Sequence, residues 1–346
     1  MFKTLDKENM FSAIWDFPEN LKDAFDLGNN IKLNQDYSDV TGIVIVGMGG
    51  SAIGGDVVSI LEKNNITIPF MVCRGYSVPN WVNRSTLVIC SSYSGNTEET
   101  LAAIDDSLAK NAIICGLTTG GIMADKLRSI NMDVVIIPGG LQPRAALAFS
   151  FIPMIKLLEK IKLLKTKIDR WLPLTIESLL AKRKIYSQDF DENPLINISR
   201  KIYKKIPIIY SDSSTMGIAA LRIKGQICEN SKMLCYYNEL PELNHNEIVG
   251  WENNPDLFDR LFVLWLIDKS DHYRVKFRSE ITQSILDEKN VDQIIIKMNG
   301  DSFQERFLNM IHYGDWLSFW CAILHHTDPS PVKNIDRLKN ELMKKR

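Results

Sequence analysis

The chain has 346 residues, 45% of them hydrophobic, and its 41 basic and 42 acidic side chains leave a net charge of −1. That length allows two domains, each with its own core, and the charge balance excludes a bulk field that would draw in nucleic acid or an anionic membrane. No apolar run reaches the length of a membrane span, and the opening Met1-Phe2-Lys3-Thr4-Leu5-Asp6-Lys7-Glu8 lacks the apolar centre of a signal peptide, so a cytoplasmic protein is expected.

Up to about Tyr37 the pattern is helical and amphipathic, with Ile14, Trp15, Leu21, Phe25 and Leu27 available for a buried face. Residues 42–46 form a buried strand that runs into Gly47-Met48-Gly49-Gly50-Ser51-Ala52, a glycine turn and helix start. Gly47, Gly49 and Ala52 also fit G-x-G-x-x-A, so a dinucleotide fold has to be weighed. In that fold the next strand, residues 68–73, should end near a carboxylate for the ribose. Arg74 follows instead, which excludes the simple NAD form and leaves a 2′-phosphorylated dinucleotide as the competing reading.

Residues 86–90 form another buried strand, followed by Ser91-Ser92-Tyr93-Ser94-Gly95-Asn96-Thr97-Glu98-Glu99-Thr100 and a helical pattern from Leu101. Asn96 with Glu99 fits a capping box, the ordinary explanation for any one residue here. Four hydroxyls between Ser91 and Thr97 exceed the needs of one cap. At a helix start, with unpaired N–H groups and a positive dipole end, they point to a phosphate cradle. Strands at 112–117 and 134–138, separated by a helix around 124–127, complete the alternation of a doubly wound parallel sheet. Ligands sit beyond the carboxyl ends of such strands, so the turns at Gly49 and Ser94 can share one site. Arg144 precedes a long helix from Ala145 through Leu158. A cation there opposes the helix dipole, and it either pairs with a surface carboxylate or is aimed at negative charge in the cleft.

Residues 160–191 read as basic and helical until Asp189-Phe190-Asp191-Glu192-Asn193-Pro194 breaks the pattern, and the domain boundary falls in this span. The expected organisation is a first domain at 1–160, a helical connector at 161–200 and a second domain at 201–346. Strand, hydroxyl turn and helix recur at 206–210, 211–214 and from Thr215, with Met216, Ala220, Ile223 and Ile227 on one helical face. At the far end of that helix lies Glu229, facing unpaired carbonyls that disfavour its charge, which suits a proton-transfer base. A solvated helix-end glutamate is the commoner alternative. A strand at 233–237 and a polar turn at 239–248 follow, and the turn presents His245. The six cysteines stand singly without a C-x-x-C pair, so reduced thiols are expected. His325-His326 lacks the spacing of a metal site, and no metal is expected.

Several segments together resemble one family, the bifunctional phosphoglucose/phosphomannose isomerases. They are Gly47-Met48-Gly49-Gly50-Ser51, Ser92-Tyr93-Ser94-Gly95-Asn96-Thr97, Pro143-Arg144-Ala145, Glu229-Asn230, Pro241-Glu242-Leu243-Asn244-His245-Asn246 and Ile335-Asp336-Arg337-Leu338-Lys339. The resemblance implies two sugar isomerase (SIS) domains, each an α/β/α sandwich around a doubly wound parallel sheet, and an aldose–ketose isomerase without a cofactor. By the resemblance Gly49, Gly50, Ser51, Ser92, Ser94 and Thr97 hold the substrate phosphate. Glu229 moves the proton between C1 and C2, and Arg144 steadies the cis-enediolate of glucose or fructose 6-phosphate.

His245, given to the neighbouring subunit of a homodimer, and Lys339 assist ring opening; Lys333 is the other candidate lysine. The family associates a threonine seven residues before its lysine with mannose 6-phosphate, and counting back from Lys339 lands on Val332. Extra length relative to the family is expected at 160–197 and 251–278, without motifs. A non-catalytic sugar-phosphate sensor is the competing class, but it has no need of Glu229 together with Arg144 and His245.

Overall fold

A computed structural model describes residues 4–189 and 191–344; Met1, Phe2 and Lys3 of the opening segment, and Phe190 of the expected break, lie outside the described residues. The chain forms two compact units. One, the N-terminal unit, is Asp16–Leu180 with Ser302–Glu305; the other, the C-terminal unit, is Met1–Trp15, Ala181–Asp301 and Arg306–Arg346. The division differs from the expected spans at both ends. Helix α1 (Met10–Trp15) belongs to the C-terminal unit, where Phe11 packs edge-on against Trp316 and Ile14 O meets His312 Nε2 at 3.0 Å. The boundary at residue 180 falls inside α7 (Leu172–Tyr186), so no separate connector lies between the units.

In the N-terminal unit, α2 (Phe17–Asn29) precedes five strands: β1 (Gly42–Val46), β2 (Phe70–Cys73), β3 (Thr86–Ser91), β4 (Ile113–Thr118) and β5 (Asp133–Ile136). They pair in parallel in the order β2-β1-β3-β4-β5, so the direction of winding reverses between β1 and β3. Alternate side chains of β1 and β3 are covered from opposite sides. Val44, Val46, Val88 and Cys90 pack with Ala103 and Ile104 of α4 (Glu98–Ala109) and Met123 and Leu127 of α5 (Gly121–Ser129). On the other face α3 (Gly49–Leu61) lies so close that a Cβ on Gly55 would meet Ile45, and α6 (Leu147–Lys160) packs against it with Ser150 at Gly54. The result is the expected sandwich.

The C-terminal unit repeats the plan. After α8 (Pro194–Ile202) come β6 (Ile206–Asp212), α9 (Gly217–Ser231), β7 (Tyr236–Leu240), β8 (Leu261–Ile267), α10 (Tyr273–Glu288) and β9 (Gln293–Lys297), with α11 (Phe303–Leu324) and α12 (Lys333–Met343) closing the chain. The four strands are parallel, in the order β7-β6-β8-β9. Two expectations are corrected here. The strand read at 233–237 runs instead from Tyr236 to Leu240, because α9 continues to Ser231 and Lys232 takes a left-handed turn. The stretch 251–278 is not an insertion beside the fold: it contains β8, which pairs with both β6 and β9 and buries Trp265 completely.

Candidate active site

At the reversal between β1 and β3, three segments of the N-terminal unit converge. The first is the glycine turn. Gly49 has φ +48°, a backbone region that a side chain makes costly. A Cβ on Gly47 would stand 2.8 Å from Ser91 O, so the turn lies directly against the end of β3. The second is the hydroxyl turn, bound to the first by Tyr93 N–H donating to Ser51 Oγ at 3.1 Å. Its serine and threonine bond one another, Ser92 Oγ to Thr97 Oγ1 at 2.8 Å, and Ser94 Oγ accepts Asn96 N–H at 3.2 Å. The third is the segment before α6. Leu141 N–H donates to Tyr93 Oη at 3.0 Å, and a Cβ on Gly50 would stand 2.7 Å from Pro143 O and 3.3 Å from Arg144 N.

The capping-box reading of Asn96 is corrected by this geometry. Thr97 is the N-cap residue of α4 and makes no capping bond through its side chain, while Asn96 Oδ1 accepts Ile122 N–H at 3.0 Å. Helix α3 likewise starts without a side-chain cap. Two helix N-termini therefore present backbone N–H groups to one crevice, a ready-made anion site. Arg144 lies two residues before the N-cap of α6, because the helix starts at Leu147 and not at Ala145 as expected, and it is only 5% exposed. A buried guanidinium is not the surface partner that the alternative reading required. Arg74, on which a 2′-phosphorylated dinucleotide would depend, is already paired with the buried Asp56.

Glu229 lies in the last turn of α9, half-buried. That helix is held to α11 by a buried pair, Arg222 Nη2 to Asp315 Oδ2 at 2.9 Å, with Gln226 Nε2 donating to Asp315 Oδ1 at 2.8 Å. Further along, Asn230 Nδ2 donates to Ser318 Oγ at 2.9 Å and Ser231 Oγ to Ser318 O at 2.7 Å. Glu229 opens onto a cavity of about 740 Å³ whose wall includes Lys232, Thr327, Val332 and Lys333. Lys333 is the first residue of α12. Lys339 is farther along that exposed helix and is not part of the wall.

His245 ends a short 3₁₀ turn, exposed, and does not line the Glu229 cavity. The loop around it is firmly tied. Asn244 Nδ2 donates to Thr282 Oγ1 at 2.9 Å, Asn246 Nδ2 donates to Glu242 Oε1 at 2.8 Å, and Glu247 accepts from Tyr210 Oη and Asn238 Nδ2. Of the two lysines named in this wall, Lys232 lies in no sequence motif, and Lys333 was the alternative to Lys339 on register alone. Among the described residues no group of three or more His, Cys, Asp or Glu could hold a metal, and no helix is long and apolar enough to cross a membrane.

Two parallel α/β/α units, one with uncapped helix starts and hydroxyls at its point of reversal, define a protein of the double sugar isomerase class. In fold it is similar to the C-terminal domain of glucosamine-fructose-6-phosphate aminotransferase from Francisella tularensis, with TM-score 0.71 at 16% identity over 93% of this chain and 98% of that one. The family model of the bacterial phospho-glucose isomerase C-terminal SIS domain matches residues 191–342. Bifunctional phosphoglucose/phosphomannose isomerase from Caldicellulosiruptor bescii is 42% identical over 96% of this chain and 98% of its own. The Aquifex aeolicus protein of the same description is 38% identical over 90% of this chain and 93% of its own. The chain belongs to the bifunctional phosphoglucose/phosphomannose isomerase family.

Proposed function

We propose that the protein interconverts glucose 6-phosphate and fructose 6-phosphate, and mannose 6-phosphate with them, by proton transfer through a cis-enediolate. The two aldoses differ only at C2, and both collapse to the same enediolate when the C2 proton leaves. The observation that carries the reading is the crevice between β1 and β3, where two uncapped helix starts, the Ser92–Thr97 hydroxyl pair and a buried Arg144 segment meet. In this reading Gly49, Gly50, Ser51, Ser92, Ser94 and Thr97 take the phosphate. Glu229 removes the proton from C2 of the opened aldose and returns it to C1. The charge that develops on the enediolate oxygens falls to Arg144, the kind of preorganised donor whose loss costs about 10²–10³ in rate.

Ring opening is assigned to His245 and a lysine. Lys333, rather than Lys339, is favoured by its place on the Glu229 cavity. Because His245 is not part of the wall of the Glu229 cavity, the reading includes a homodimer in which the partner supplies the histidine. An exposed apolar row on α12, Ile335, Leu338 and Leu342, supports that assembly. The reading takes no cofactor and includes a cytoplasmic location.

The test is Glu229→Gln, assayed on all three sugar phosphates beside a mass measurement in solution. Turnover should fall by about 10²–10⁴-fold, the usual contribution of a general base, while sugar-phosphate binding is retained. Normal turnover would reject the base. Binding without turnover in the unaltered protein would make it a sensor instead.

A further inference from the structure

The end of α9 carries a feature that no family motif covers. Lys232, directly after the helix, has φ +55° and ψ +29°. That left-handed position is normally given to glycine, because a side chain there costs about 1 kcal/mol or more. The lysine spends that energy on its far end. Its ammonium donates to Asn230 O at 3.2 Å, Asp328 O at 2.8 Å and Pro329 O at 2.9 Å. The first carbonyl belongs to the closing turn of α9; the other two lie nearly a hundred residues later, just before Val332 and Lys333. All of these elements border the cavity onto which Glu229 opens.

Resting on the assignment of Glu229 as the base, we propose that Lys232 is a positioning residue: its ammonium clamps the 327–335 segment to the helix end that bears Glu229 and so sets the width of the reaction cavity. A cation at a helix C-terminus is favoured by the dipole, so the clamp is stable where it stands. Its bonds to carbonyls are charge-assisted and directional, which suits holding a wall in register better than apolar contact does. The segment has a turn of its own, with Ser330 N–H donating to Asp328 Oδ1 at 3.0 Å, so both anchored carbonyls belong to one preformed unit.

Lys232→Gly separates backbone from side chain, because glycine accepts the left-handed backbone while the ammonium clamp is lost. The variant should unfold cooperatively, yet its kcat should fall by about 10–10²-fold, the scale set by a displacement of about 1 Å at a reacting group. KM should change no more than about threefold, because the phosphate cradle is untouched. Lys232→Arg, which keeps the charge and the donors, should recover most of the loss. Amide exchange at 328–335 should quicken in the glycine variant.

A Lys232→Gly protein with kcat within twofold of the parent would overturn the proposal, as would unchanged exchange in that segment. Glu229→Gln, run alongside, keeps the two failures apart. If Glu229→Gln stays active, the base assignment fails while the exchange result still decides the clamp. If it is inactive and Lys232→Gly turns over normally, the clamp alone fails.

Discussion

The close approach of Gly50 to the Arg144 segment yields a test with a calculable displacement. A Cβ at position 50 would stand 2.7 Å from Pro143 O, where ordinary contact begins at 3.4 Å, so something must yield by about 0.7 Å. The obstacle is backbone and not the end of a flexible side chain, so the movement passes to Arg144 N, itself only 3.3 Å away. Overpacking of this kind costs about 1–3 kcal/mol. If Arg144 steadies the enediolate as proposed, a shift approaching 1 Å there lowers the rate by about 10–10²-fold. Gly50→Ala is therefore expected to melt lower and to lose that much kcat in a coupled isomerase assay.

Gly225→Ala is the matched control. That glycine is inside α9, and its added Cβ meets nothing within 4 Å. The ordinary gain of about 1 kcal/mol for alanine in a helix should then appear, without loss of turnover. A Gly50→Ala enzyme with the parent's melting temperature and kcat would refute the link from the glycine turn to Arg144.

Ser94→Ala should weaken sugar-phosphate binding by about 10-fold or more, the worth of one hydrogen bond to a charged group, with kcat less affected; unchanged affinity in calorimetry would remove Ser94 from the cradle. Lys333→Met should lose more turnover than Lys339→Met when both are assayed on cyclic substrate, and the reverse order would return ring opening to Lys339. Stability should also fall with rising pH. Burial, with Asn65 as the main opposing hydrogen bond and the Glu159 charge adding to the rise, pushes the Glu62 carboxyl up to about 7. The folded value lies above the unfolded one, so this contribution is fully present below about pH 4.5 and is lost as pH rises through 7, about 3 kcal/mol in all. Glu62→Gln should flatten that part of the denaturation profile, and an unaltered profile would sink the assignment.

The crevice between β1 and β3 was legible in the sequence because its signals are local: glycines where backbones touch, hydroxyls at a helix start, and apolar strands before each turn. The capping role of Asn96 was misread because Asn-x-x-Glu describes a cap only if the asparagine faces its own helix, and here it serves the start of α5. Strand β7 was displaced because Tyr236-Tyr237-Asn238-Glu239-Leu240 is an edge strand and largely unburied, so hydrophobicity does not mark it. For β8 the signal is the continuous apolar run Leu-Phe-Val-Leu-Trp-Leu-Ile, which marks a buried strand although it carries no chemical motif. The choice between Lys333 and Lys339 needed the start of α12, which residue counting does not supply.

The C-terminal unit also reverses its winding, between β6 and β8, but its turns add carboxylates to their hydroxyls. Its turns resemble the first crevice in shape and oppose it in charge. Asp212 Oδ1 accepts Ser214 N–H and Oγ–H at 2.8 and 2.7 Å, Asp268 Oδ1 accepts Ser270 N–H at 2.8 Å, and Asp271 Oδ2 accepts Asp268 N–H at 2.9 Å. These turn donors are occupied by the chain's own carboxylates, although α9 itself starts without a side-chain cap. Arg306 neutralises Asp268 through bonds of 2.7 and 2.9 Å. The others remain a concentration of negative charge, with Asp271 pushed up to about 6 by burial and Glu239 raised by burial and by the Asp212 charge. A dianionic phosphate entering there would displace hydrogen bonds already made and meet like charge. In the proposed reading, phosphate binding thus follows the residues at a point of reversal and not the reversal itself. Under the proposed function the phosphate is assigned to the crevice of the N-terminal unit, where hydroxyls rather than carboxylates stand at the reversal.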